Sequence, residues 1–116
     1  MRIRTQPWAD VVELYDGLVK EHNWPIEPML ALVEFLARSP YASGLFPYTS
    51  HDVLGIGRSA DFIRGHSELS VSFNSETQHF TFTYIQRPDD YSPWSRQCSA
   101  AEWQLVLVRI LQKRLG

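Results

Sequence analysis

Apolar side chains return every third or fourth position between residues 7 and 22. Trp8, Val11, Val12, Leu14, Tyr15, Leu18, Val19 and His22 gather on one side, and Asp10, Glu13, Asp16, Gly17, Lys20 and Glu21 on the other. That period predicts an amphipathic helix with Pro7 in its first turn, where a missing N–H is harmless. His22 at the edge of the apolar side is expected to be a packed histidine. Asn23 to Pro25 interrupts the pattern, because a residue before proline is pushed out of the α region. A second helix is predicted from Glu27 to Arg38, with Pro28 in its first turn. Met29, Leu30, Leu32, Val33, Phe35 and Leu36 leave it only a narrow polar strip of Glu27, Glu34 and Arg38, so it must be buried on most sides.

From Tyr41 to Ser50, just after Pro40, one further proline, a glycine and three aromatics read as a loop. Asp52 to Gly57 reads as a short strand weakened by Gly55 and Gly57. Residues 58 to 67 give no clear pattern. Strict alternation then marks two strands, Glu68 to Phe73 and His79 to Gln86, joined by a turn over Asn74 to Gln78. Leu69, Val71, Phe73, Phe80, Phe82 and Tyr84 would form the apolar face of this antiparallel hairpin, and Ser and Thr the wet one. Arg87 to Cys98 reads as a second long loop. Ser99-Ala100-Ala101-Glu102 has the form of a capping box opening a last helix. That helix carries one apolar stripe of Trp103, Val106, Leu107, Ile110 and Leu111. A second stripe comprises Ala101, Leu105, Val108 and Leu115. The second stripe is expected to pack on the first two helices, or else on another copy of the chain.

These elements predict an α+β fold in two layers: an antiparallel sheet of about three strands with three helices packed on one face, in the order ααβββα. The 116 residues suit a single domain able to bury a core without metal or disulfide. With 44% hydrophobic, 13% aromatic and 21% charged residues the chain is globular rather than disordered. Eleven basic against thirteen acidic residues argue against a nucleic-acid partner, which demands a concentrated basic surface. The longest apolar run, Met29 to Val33, is too short for a membrane span. One cysteine and no visible secretory signal lead to the expectation of a cytoplasmic protein.

Candidate chemistry is sparse. Ser50, His51 and Asp52 are the residue types of a hydrolytic triad, but neighbours along a strand point to opposite faces, so a turn is the simpler reading. Cys98, just ahead of the capping Ser99, would sit at a helix N-terminus, where exposed N–H groups favour a thiolate, but a lone cysteine is more often an inert small residue, the simpler reading. His51, Asp52, His66 and His79 lack any metal-ligand spacing, and no metal or cofactor is expected. Gly55-Ile56-Gly57-Arg58-Ser59 matches neither nucleotide-binding fingerprint; turn or bulge glycines are the simpler reading, with Ser59 a candidate cap for a short helix through Phe62. Aromatics on the two proline-containing loops stand out more: Tyr41, Phe46, Tyr48, Tyr91 and Trp94. Rigid aromatic side chains give recognition surfaces at low entropic loss. Tyr48, His51, Tyr91 and Trp94 are the candidate binding residues. The leading expectation is a small non-enzymatic module of the adaptor or toxin-neutralising type, holding a protein partner or a copy of itself. A cysteine- or histidine-dependent enzyme is the alternative. A small-ligand or anion sensor using Gly57, Arg58 and Arg64 is the third reading.

Overall fold

The computed structural model describes residues 2–50, 53–58, 61–63, 69–84 and 94–115. In chain order its elements are β1 (Arg2–Arg4), α1 (Trp8–Lys20), α2 (Glu27–Arg38), β2 (Phe46–Ser50), β3 (Val53–Gly57), β4 (Asp61–Ile63), β5 (Leu69–Asn74), β6 (His79–Tyr84), β7 (Trp94–Ser99) and α3 (Trp103–Ile110). A 3₁₀ turn (Pro40–Gly44) follows α2, and a π turn (Leu111–Leu115) extends α3. The fold is α+β, as the patterning implies, but its antiparallel sheet has five strands, in the order β2-β3-β5-β6-β7. β1 and β4 make a separate antiparallel pair. No described helix is long and apolar enough to cross a membrane.

Both added sheet strands are edges, and that is why they escape the alternation test. β2 contains Pro47, which lacks the N–H an interior strand must donate and is tolerated on an edge. Its carbonyl accepts a hydrogen bond from Gln6 N at 2.9 Å. β7, Trp-Ser-Arg-Gln-Cys-Ser, exposes its three middle residues and so never alternates. The expected loops over 41–50 and 87–98 are therefore in part strand. The expected Ser59-capped helix is replaced by β4, whose Asp61–Ile63 pair with β1.

The hairpin stands in the register Leu69↔Tyr84, Val71↔Phe82 and Phe73↔Phe80. Its turn is held by Asn74 Oδ1, which accepts from Glu76 N at 2.9 Å, and closes through Gln78 at φ 58°. Leu54, Ile56, Leu69, Val71, Phe80 and Phe82 are fully buried on the inward face, whereas Ser70, Ser72, Thr81 and Thr83 opposite are half-buried. Helices cover the inward face. α2 buries Met29, Leu30, Leu32, Val33 and Leu36. α1 packs on α2 and β2, burying Val11 and Tyr15, and Trp8 Nε1 donates to Leu45 O at 3.0 Å.

Helix ends differ from the expected ones in detail. Pro7 is extended (φ −61°, ψ 146°) and caps α1 from outside, its carbonyl accepting from Asp10 N and Val11 N. α1 stops at Lys20, because Asn23 adopts a left-handed φ of 55°. His22 therefore lies beyond the helix and is exposed rather than packed. At the other end, pairing of β7 runs through Ser99, so α3 opens only at Trp103. Ser99 Oγ donates to Glu102 Oε1 at 3.0 Å, and no side chain caps the helix. Val106, Leu107, Ile110 and Leu111 point into the core. Leu105, on the opposite side of the helix, is 60% exposed and Val108 half-buried. The second stripe is thus not covered by α1 or α2 at Leu105.

Candidate functional site

An open groove of ≈ 800 Å³ runs between α2 and the start of α3. Its wall on α2 follows from helical spacing: Glu27, Ala31, Glu34 and Arg38 recur at three- and four-residue steps along the outward side of a helix whose inward side is buried. Glu34 and Arg38 form an i, i+4 ion pair at 3.7 Å. Ser39 ends α2, its Oγ donating to Leu36 O at 2.7 Å, and Pro40 starts the turn that brings Tyr41 to the same groove.

Aromatic rings form the groove's far side. Trp103 meets Phe35 edge-on, with centroids 5.7 Å apart and planes at 73°. Behind it Phe80 lies 6.1 Å away and in turn touches Phe82 and Phe73. A continuous line of rings therefore links the sheet's core to the surface. Trp103, Phe35 and Tyr41 remain half-exposed at the outer end of that line. The groove thus combines carboxylates and one guanidinium at its rim with apolar and aromatic walls.

Of the residues singled out from the sequence, the structure unites few. Tyr48 is on β2 and Trp94 on β7, the two opposite edges of the sheet. The register row Tyr48-Gly55-Ser70-Thr83-Ser95 lies on the outer face, and Trp94 pairs with Tyr84 on the inner one. They cannot share one site. Neither is a loop residue, since pairing runs through both. His51 and Tyr91 lie outside the described residues, as do Asp52, Ser59, Arg64 and His66. Ser50 ends β2 and pairs with Val53. His79 is exposed. Among the described residues no three potential metal ligands cluster.

Cys98 departs from its expected place at a helix N-terminus. It is a strand residue opposite Phe80, 8% exposed, and not the first residue of a helix. Burial pushes its thiol above the ordinary range, Glu102 adds to that, and Arg96 opposes it. A nucleophilic thiolate needs the reverse shift. Sequence reasoning missed the groove because Trp103, Phe35 and Tyr41 read as core stripe or loop. The clue available was that α2's polar strip and the α3 tryptophan each border an apolar side.

Comparison with protein-family models, with curated proteins and with solved structures found no match.

Proposed function

We propose that this chain is a non-enzymatic protein-binding module whose docking surface is the groove between α2 and α3. The observation that carries the reading is Trp103, half-exposed and set edge-on against Phe35 in the wall of that groove. Tryptophan in a surface cleft offers a large rigid contact, the kind of residue that dominates binding energies. Two helices flank the groove, a geometry that accepts the apolar face of a third. Glu27 and Glu34 against the single Arg38 favour a partner helix whose apolar anchors are flanked by lysine or arginine.

Selection from a displayed library of helical peptides, using the intact chain as bait, tests this. Ala31 is exposed in the middle of the α2 wall, so Ala31→Arg adds bulk and positive charge there without touching the core. Enrichment of basic amphipathic helices that lose binding to the Ala31→Arg chain is the expected result. Peptides that bind wild type and variant alike, or no enrichment at all, would overturn the reading.

A further inference from the structure

The inward row of β7 breaks the sheet's apolar rule. Trp94, Arg96 and Cys98 stand opposite Tyr84, Phe82 and Phe80, so all three occupy core-facing positions. Arg96 is nevertheless exposed, because β7 is an edge and α3 leaves a gap above it. Arg109 and Lys113, one helical turn apart, border the same gap. With Trp94, Val106 and Ile110 these three cations line a cleft of ≈ 260 Å³ between strand and helix. Among the described residues no carboxylate stands within ion-pair distance of Arg96, Arg109 or Lys113.

Each cation taken singly has an ordinary account. An inward charge on an edge strand discourages edge-to-edge pairing between molecules. Basic residues are favoured where a helix ends. Neither account explains why all three meet in one cleft, in a chain whose formal charge is −2. Like charges at i, i+4 destabilise a helix slightly, and Arg96 adds a third charge of the same sign.

We infer that this cleft binds the phosphoryl group of a phosphate monoester, held by the Arg96 and Arg109 guanidiniums and by Lys113, with the ester's organic part against Trp94 and Ile110. Guanidinium forks match phosphate oxygens in pairs, and the ammonium adds a point charge. A phosphate monoester carries about −1.5 to −2 charges at neutral pH. A carboxylate brings only one negative charge to three positive ones. The apolar wall favours an ester with a ring or hydrocarbon over inorganic phosphate.

The test is a titration of the isotope-labelled chain with phenyl phosphate and with inorganic phosphate at fixed ionic strength. It is read by NMR at the indole N–H of Trp94, assigned through Trp94→Phe. Saturable shifts are expected, with phenyl phosphate the tighter ligand. Arg109→Gln and Arg96→Gln should each weaken binding about tenfold or more. Binding should strengthen as pH rises through about 6, where the second phosphate proton leaves. A phosphotyrosyl peptide that binds more tightly than phenyl phosphate would assign the group to a modified protein; equal or weaker binding would assign it to a free ester. Absence of saturable shifts, or shifts untouched by both arginine variants, would overturn the inference. So would phosphate binding that appears only after Asp89→Asn and Asp90→Asn, because the cations would then serve the chain's own carboxylates.

Discussion

The ring of Tyr48 on β2 lies across Gly55, its register partner on β3, so closely that a Cβ at residue 55 would stand 2.6 Å from its Cδ1 and 2.8 Å from its Cζ. A glycine inside a strand ordinarily weakens it; here its bare backbone is the seat of an aromatic ring. Gly55→Ala should therefore destabilise the fold by about 1–3 kcal/mol through overpacking. In a Tyr48→Ala background the same change should lose much of its effect, giving a coupling of at least ~0.5 kcal/mol. Urea unfolding of the four variants measures this, and additive losses would show that the ring moves aside freely.

The two faces of the hairpin should respond very differently. Phe82 is fully buried and touches Phe80, whereas its neighbour Thr83 is half-buried on the outer face. Phe82→Ala is expected to remove about 3–5 kcal/mol of stability. Thr83→Ala should remove no more than about 0.5–1 kcal/mol. Equal losses by chemical denaturation would mean that a second layer covers the outer face.

Cys98 should alkylate slowly at neutral pH and faster as pH rises past the ordinary thiol range. Its folded-state pKa is raised above the unfolded value, chiefly by burial, so above the unfolded pKa the native state binds more protons than the unfolded one. Stability linked to this thiol is thus fully present below the ordinary pKa of about 8.5 and is lost as pH rises from there toward the folded value. Urea midpoints from pH 7 to 10 should fall more steeply for wild type than for Cys98→Ala. Rapid labelling in mild acid would contradict the burial.

Leu105 and Leu107 face opposite ways on α3. Leu105→Glu should change stability by no more than about 0.5 kcal/mol, and Leu107→Ala should lower it by about 2–5 kcal/mol. Light scattering on the Leu105→Glu chain adds a second reading. Conversion of a dimeric parent into a folded monomer would make the outward side of α3 a self-association surface. No change in mass would leave Leu105 as an isolated exposed residue, which is common on monomers.

The elements legible from sequence are those that bury one face. α1, α2, the β5–β6 pair and the inward stripe of α3 alternate or recur because water touches only one side of each. β2 and β7 could not be read that way. Pro47 signals a turn unless the strand is known to be an edge, and Arg96 signals a loop unless the gap above it is known. The same blindness hid both clefts. Trp103 and Arg96 gain their meaning from elements distant in the chain: Phe35 for the one, Arg109 and Lys113 for the other. Cys98 shows how a one-element error propagates, since reading 87–98 as loop turns a buried core thiol into a helix-terminal one.

The sheet order β2-β3-β5-β6-β7 has a kinetic consequence. Within this five-stranded sheet each strand pairs with one close in sequence, so the meander grows by closing short loops, each losing little chain entropy. The β5–β6 hairpin, with its Asn74-anchored turn, is expected to form on the microsecond scale of hairpins. The N-terminal helices arrive over far longer spans, as the Trp8–Leu45 hydrogen bond shows, and α2 must find a face that the strands have already built. Docking of α1 and α2 is therefore expected to be the late, rate-setting event. Val71→Ala should slow refolding, whereas Val11→Ala should mainly hasten unfolding, a contrast that stopped-flow chevrons resolve. The expected order is strands first, with the N-terminal helices closing the core last.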